Sequence, residues 1–181
     1  MYNFFFFFID LQLKTIASNI KLIAFDVDGV MTDGSLTFFE DGKEFKTFNA
    51  KDGLGVSMLS KSGVITAIIT ARKSPIVDLR ARMIDIKEVY QNEKNKVKAI
   101  EDLRQKYDLN YSQIAYVGDD LIDIEVLKLT GLKACPKDAV CEVIDICNFV
   151  SSKEGGRGAV REVCDLILKS KNIKFSDIVN Q

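Results

Sequence analysis

Histidine is absent from the 181 residues, and with it go the commonest general base and the commonest metal ligand. Any proton transfer therefore falls to Asp, Glu, Lys, Tyr or Cys. Tryptophan is missing too, against 12 Phe, which separates no class from another. The four cysteines, Cys135, Cys141, Cys147 and Cys164, contain no Cys-x-x-Cys pair. With no histidine to complete a zinc site they read as reduced, mostly buried thiols in a cytoplasmic protein. Neither charge is in excess, with 25 basic and 26 acidic side chains, so no nucleic-acid partner is expected. No apolar run is long enough to span a bilayer. Phe4 to Phe8 comes nearest, but no Lys or Arg precedes it and Asp10 interrupts it, so it is expected to be neither a signal peptide nor a membrane span. Residues 1–19 read instead as an N-terminal extension, packed on the domain or on a neighbouring subunit. Linkers and internal repeats are also lacking.

What remains is ordinary in amount and informative in arrangement. A chain with 47% hydrophobic and 28% charged residues and this length buries roughly 70% of its extended surface on folding, which fits one domain over 1–181. The stretch from Lys21, apolar over Leu22 to Phe25, stops on Asp26-Val27-Asp28-Gly29. Once the chain bends at Gly29 the two carboxylates can converge, and they repel unless a cation lies between them or one holds a proton. Ser35 to Asn49 reads as two short strands around the hairpin signal Asp41-Gly42, with Phe38 and Phe39 on opposite faces and Phe45 and Phe48 likewise. One face of this 35–49 flap is expected to cover the carboxylates and the other to meet a partner chain.

Asn49-Ala50-Lys51-Asp52-Gly53 leads into a helix, with Asp52 as its expected cap and Leu54, Met58 and Leu59 as its apolar stripe. Val64 to Ile69 is a strand ending in Thr70-Ala71-Arg72, and Ser74-Pro75 opens the next helix. Ile86 to Tyr90 is a strand, followed by a helix over Asn95 to Tyr107. Lys96 at its start opposes the helix dipole, which an anion held nearby would explain. Ile114 to Val117 is a strand that ends in Gly118-Asp119-Asp120-Leu121-Ile122-Asp123; Asp120 and Asp123 would equally serve as caps. Short strands at Leu132 to Cys135 and Asn148 to Val150 follow. Glu154-Gly155-Gly156-Arg157-Gly158 then precedes a helix over Val160 to Leu168, in a C-terminal segment (154–181) expected near the site or else a plain connector.

Strand and helix alternate throughout, which predicts a three-layer, Rossmann-like doubly wound parallel sheet. Ligands of such sheets bind beyond the carboxyl ends of the strands, where Asp26, Asp28, Thr70 and Asp119 all fall. Carboxylates accompanied by cations form the hard donor set that suits Mg²⁺. Metal-assisted phosphoryl transfer with an aspartate nucleophile follows from the residues alone. A phosphoacceptor receiver domain has similar parts, but there the lysine follows the phosphorylated strand, whereas Lys96 precedes the strand leading to Asp119.

In order and spacing, Asp26-Val27-Asp28-Gly29, Thr70, Lys96 and Gly118 to Asp123 resemble the four motifs of the haloacid dehalogenase-like phosphatases. Phe25 to Gly34, Gly118 to Asp123 and Gly155 to Asp165 resemble more closely the capless members of that family that act on a phosphorylated acid sugar, 3-deoxy-D-manno-octulosonate 8-phosphate. The resemblance implies Asp26 as nucleophile and Asp28 as acid and base. It implies Mg²⁺ held by Asp26, Asp28 and Asp119 with Asp120 and Asp123 in support, and phosphate held by Thr70 and Lys96. It implies sugar contacts from Asp28, Asn49, Ala50, Lys51, Asp52, Gly53, Arg72, Arg80 and Arg157, a homotetramer, and a place in lipopolysaccharide precursor synthesis. Lys51 stands where relatives commonly have Arg, and Ala71 and Asn92 where they have Gly. An ammonium lacks a guanidinium's two-pronged grip on a carboxylate, so a nonulosonate 9-phosphate is the alternative substrate.

Overall fold

The central strand, β1 (Leu22–Phe25), is buried at every position, and the sheet is built outward from it. The computed structural model describes residues 11–174, together with 176 and 178, so the Phe-rich start lies outside the described residues. Before β1, residues 11–18 form a helix, α1. A two-stranded hairpin, β2 (Thr37–Phe38) and β3 (Glu44–Phe45), follows β1. Then come α2 (Ala50–Lys61), β4 (Ile65–Ile69), α3 (Pro75–Met83), β5 (Glu88–Tyr90), α4 (Lys96–Lys106), β6 (Ile114–Val117), α5 (Ile124–Leu129), β7 (Leu132–Cys135), α6 (Cys141–Ile144), β8 (Phe149–Val150) and α7 (Ala159–Ser170).

The main sheet has six parallel strands in the order β5-β4-β1-β6-β7-β8. On one side of β1 Leu22 pairs with Ile65, and on the other with Ile114. The unbroken apolar runs of β1 and β6 are explained by cover on both faces. Ile23 and Phe25 enter one core with Val56 and Leu59 of α2 and Val160, Val163 and Ile167 of α7. Leu22 and Ala24 enter the other, with Ile100 and Leu103 of α4 and Val126 and Leu127 of α5. Adjacent β1 residues thus serve opposite cores, as the two-residue period of a strand requires. Chain connections leave β1 and β6 in opposite directions, which makes the gap beyond their carboxyl ends the crevice of the sheet. Apart from the hairpin, no insertion among the described residues is large enough to form a cap. None of their helices is long and apolar enough to cross a membrane.

Three local expectations need correction. Asn49, not Asp52, caps α2, its side chain accepting from the backbone of Lys51 (2.8 Å) and Asp52 (3.3 Å). Asp52 is 2% exposed and serves a different helix, accepting from Gly158 N (3.3 Å) and Arg161 N (2.8 Å) at the start of α7. Leu54 is 47% exposed; the buried face of α2 runs through Gly55, Val56, Met58 and Leu59, because Gly55 lets α7 approach. A Cβ there would lie 3.1 Å from Cys164 Cβ and 2.9 Å from Arg161 Cδ. Finally, Ser74 occupies the cap position of α3 without a side-chain capping bond.

Candidate active site

After β1 the chain turns tightly, with Val27 O accepting from the amides of Val30 (3.3 Å), Met31 (2.9 Å) and Thr32 (3.0 Å). This turn needs Gly29 twice over. Its φ is +89°, and a Cβ would lie 2.0 Å from Asp119 Oδ2. The absent side chain is what lets the two acidic loops meet.

Asp26 is fixed at both oxygens, Oδ1 accepting from Val27 N at 2.7 Å and Oδ2 lying 2.7 Å from Lys96 Nζ. Lys96 also reaches Asp123 Oδ1 at 2.6 Å. Asp123, fully buried, accepts in addition from Tyr116 Oη (2.7 Å), Asp119 N (3.1 Å) and Asp120 N (3.3 Å). It therefore both ties Lys96 down and shapes the loop that presents Asp119. Ligand oxygens of Asp26, Asp119 and Asp123 lie within 4.8 Å of one another, and Asp119 Oδ1 is buried with no hydrogen-bond partner.

The electrostatics follow from that crowding. Burial and the neighbouring Asp26 and Asp123 push the Asp119 carboxyl up to about 8. Burial raises Asp26 to about 6, against the pull of Lys96. For Lys96, burial works against the charge, but Asp26 and Asp123 more than offset it and its pKa rises. The cluster has one cation too few, and an orphaned buried carboxylate oxygen at its centre. A hard divalent ion fits that deficit, and an all-oxygen donor set favours Mg²⁺ over softer metals.

A cleft of about 150 Å³ opens above, lined by Asp26, Asp28, Thr70, Ala71, Arg72, Asp119, Asp120 and Ile122. Thr70, at the end of β4, is 2% exposed, and its hydroxyl accepts from Arg72 N at 3.3 Å. Asn92 takes a φ of +56°, a left-handed conformation asparagine tolerates well, and its amide donates to Arg72 O at 3.1 Å. Asp28 does not join the acidic trio. Its carboxylate faces Lys46, which contacts Oδ1, and Arg72, whose Nε is 3.5 Å from Oδ2. Glu44 completes the arrangement, 2.7 Å from Arg72 Nη2 and 3.2 Å from Lys46 Nζ.

The structure thus brings together Asp26, Asp28, Thr70, Arg72, Lys96, Asp119, Asp120 and Asp123. It does not bring Asn49, Ala50, Lys51, Asp52, Gly53, Arg80 or Arg157 into the cleft of a single chain. Lys51 and Ala50 are exposed. Arg80 supports the backbone, donating to Asn49 O at 2.8 Å beneath Gly53, with its guanidinium 5.4 Å from the Phe48 ring. Arg157 is exposed and lies 3.3 Å from Asp33 Oδ2. Its glycine neighbours do reach the site loop: Gly156 N donates to Val30 O at 3.0 Å, and a Cβ on Gly155 would strike Gly29 O. Sequence reasoning missed Glu44, Lys46 and Tyr116. For the first two a signal existed, since Glu44 and Lys46 are opposite charges two apart in a strand and must share one face.

A family model described as haloacid dehalogenase-like hydrolase matches residues 65–163. The chain is 43% identical over 157 residues to 3-deoxy-D-manno-octulosonate 8-phosphate phosphatase KdsC of Salmonella typhi, covering 87% of this chain and 84% of that one. Among solved structures, the 3-deoxy-D-manno-octulosonate 8-phosphate phosphatase of Yersinia pestis superposes with a TM-score of 0.87 at 40% identity, covering 89% of this chain and 87% of that chain. The Moraxella catarrhalis phosphatase of the same name, in complex with magnesium, phosphate and KDO, superposes with a TM-score of 0.87 at 39% identity, covering 88% and 92%.

Proposed function

The chain belongs to the haloacid dehalogenase-like hydrolases, and from that premise we propose that it hydrolyses 3-deoxy-D-manno-octulosonate 8-phosphate with Mg²⁺ as cofactor. The observation that carries the reading is the Asp26–Lys96–Asp123–Asp119 cluster at the crevice of the sheet, with Arg72 at its mouth. The name and bound ligands of the Moraxella relative supply the substrate class.

In this reading Asp26, Asp119 and the Asp28 backbone carbonyl hold Mg²⁺, and Asp120 and Asp123 support them. The ion supplies charge neutralisation for the phosphoryl group. Thr70 and Lys96 grip the phosphoryl oxygens, a role worth most where charge spreads in the transition state. A carboxylate oxygen of Asp26 attacks phosphorus, and the P–O bond to the sugar breaks. The departing oxygen takes its electron pair and a proton from Asp28. Water then attacks the phosphorus of the aspartyl phosphate, Asp28 takes its proton, and the bond to Asp26 breaks. Monoester and water become alcohol and phosphate, with Asp26 and Asp28 restored. Arg72 faces the acid sugar. Lys51, Arg80 and Arg157 reach it only if a neighbouring chain completes the site, which is the role of the homotetramer in this reading. The place of action is the cytoplasm, in lipopolysaccharide precursor synthesis.

The test is kcat/KM for the octulosonate 8-phosphate beside a nonulosonate 9-phosphate and glucose 6-phosphate. A hundredfold preference for the octulosonate, about 2.7 kcal/mol of transition-state discrimination, is expected. A preference for the nonulosonate would keep the chemistry and transfer the substrate assignment.

A further inference from the structure

We propose that Lys46 is the positioning residue for Asp28, pinning one carboxylate oxygen so that the other is presented to the leaving group. The inference rests on the reading of Asp28 as proton donor given above.

Lys46 follows β3 in a hairpin whose aromatic side chains Phe38, Phe39 and Phe45 are all more than half exposed. Its own side chain is only 2% exposed. An ammonium withdrawn that far from water needs carboxylate partners, and it has two: Asp28 Oδ1 in close contact, and Glu44 Oε1 at 3.2 Å. Asp28 depends on it in turn. Asp26 has a backbone amide on its carboxylate and Asp123 has two, whereas among the described residues the one hydrogen bond to the Asp28 carboxylate comes from Lys46. Arg72 Nε, 3.5 Å from Oδ2, is beyond hydrogen-bond range.

The two oxygens of Asp28 are therefore unlike. Oδ1 turns to Lys46, which does not line the cleft, while Oδ2 turns to Arg72, which does. Oδ2 is the oxygen left to pass a proton to the ester oxygen as the P–O bond breaks, and to regain one from water afterwards. Glu44 takes Arg72 Nη2 at 2.7 Å, so the guanidinium is shared between Glu44 and Oδ2. The hairpin thus sets the rotamer of the acid.

The experiment compares Lys46→Met with wild type, full-length with Mg²⁺, on the octulosonate 8-phosphate and on p-nitrophenyl phosphate. The nitrophenolate leaves without a proton, and kcat/KM covers the steps through leaving-group departure. A general acid contributes about 10²–10⁴-fold, so kcat/KM on the sugar phosphate is expected to fall at least ~30-fold and that on the nitrophenyl ester less than ~3-fold. Their ratio does not depend on the fraction of active protein, and Lys46→Gln is read the same way should the Met variant fold poorly. Equal losses on both substrates, or none on either, overturn the proposal. Asp28→Asn is measured alongside. A split in Asp28→Asn without one in the Lys46 variants overturns the role of Lys46 and leaves the mechanism standing, whereas no split in Asp28→Asn overturns both.

Discussion

Asp119 sits where a charge is hardest to keep, and its consequence is a pH dependence with a definite sign. Its folded pKa of about 8 and that of Asp26 near 6 both lie above the ordinary carboxylate value of 3.8. The metal-free fold therefore binds more protons than the unfolded chain, and stability present below about pH 4 is lost progressively as pH rises toward 8. A divalent ion competes with those protons. The melting temperature of metal-free protein, followed by circular dichroism, is expected to fall from pH 6 to pH 8, and saturating Mg²⁺ to raise it more at pH 8 than at pH 6. An Mg²⁺ increment that shrinks toward pH 8 would remove the metal from this trio. Asp26→Asn is expected to lower turnover at least ~1,000-fold, as loss of a nucleophile does, with an unchanged circular dichroism spectrum. Retained activity above a tenth of wild type would end the assignment of Asp26.

Loops and helix starts carry the next set of consequences. Gly29→Ala forces a Cβ into Asp119 Oδ2 and a left-handed φ on alanine. Calorimetric Mg²⁺ titration is expected to show affinity down more than ~10-fold, since that carboxylate has to move. Asp52 joins the first turn of α2 to the start of α7 through two amides. Asp52→Ala leaves buried donors unpaired at a cost of about 1–3 kcal/mol, read as a lower urea midpoint, with KM for the sugar phosphate within about twofold of wild type. A tenfold rise in KM would instead place Asp52 on the substrate.

For the whole molecule, the hairpin presents two unlike faces. Phe38, Glu44 and Lys46 turn to Arg72 and Asp28, with Arg72 6.0 Å from the Phe38 ring. Phe39 and Phe45 pack edge to face with centroids 6.4 Å apart on the other side, and both remain exposed. Such aromatic surface is normally covered by a partner. Light scattering at micromolar concentration is expected to give the mass of four chains, and Phe39→Asp with Phe45→Asp to give that of one. A monomeric wild type would leave Lys51, Arg80 and Arg157 without a route to the substrate.

The sequence alone determined the sheet and the positions of the carboxylates at its strand ends because both are written in local signals. Largely apolar runs that stop on Asp26, Thr70 and Asp119 demand buried parallel strands with polar groups at their ends, and the strand bounds of β6 and β7 coincide with the runs that predicted them. Only the tertiary structure decided how the acids divide. Asp123 reads as a helix cap in the sequence, yet it holds Lys96, Tyr116 and the Asp119 loop at once. Asp52 reads as the cap of its own helix and serves one more than a hundred residues away. Lys46 drew no notice in the sequence and is buried against Asp28. The Asp123–Lys96, Asp52–Arg161 and Lys46–Asp28 pairings each join separate parts of the chain, and such pairing depends on where the fold brings segments together, which no local pattern encodes.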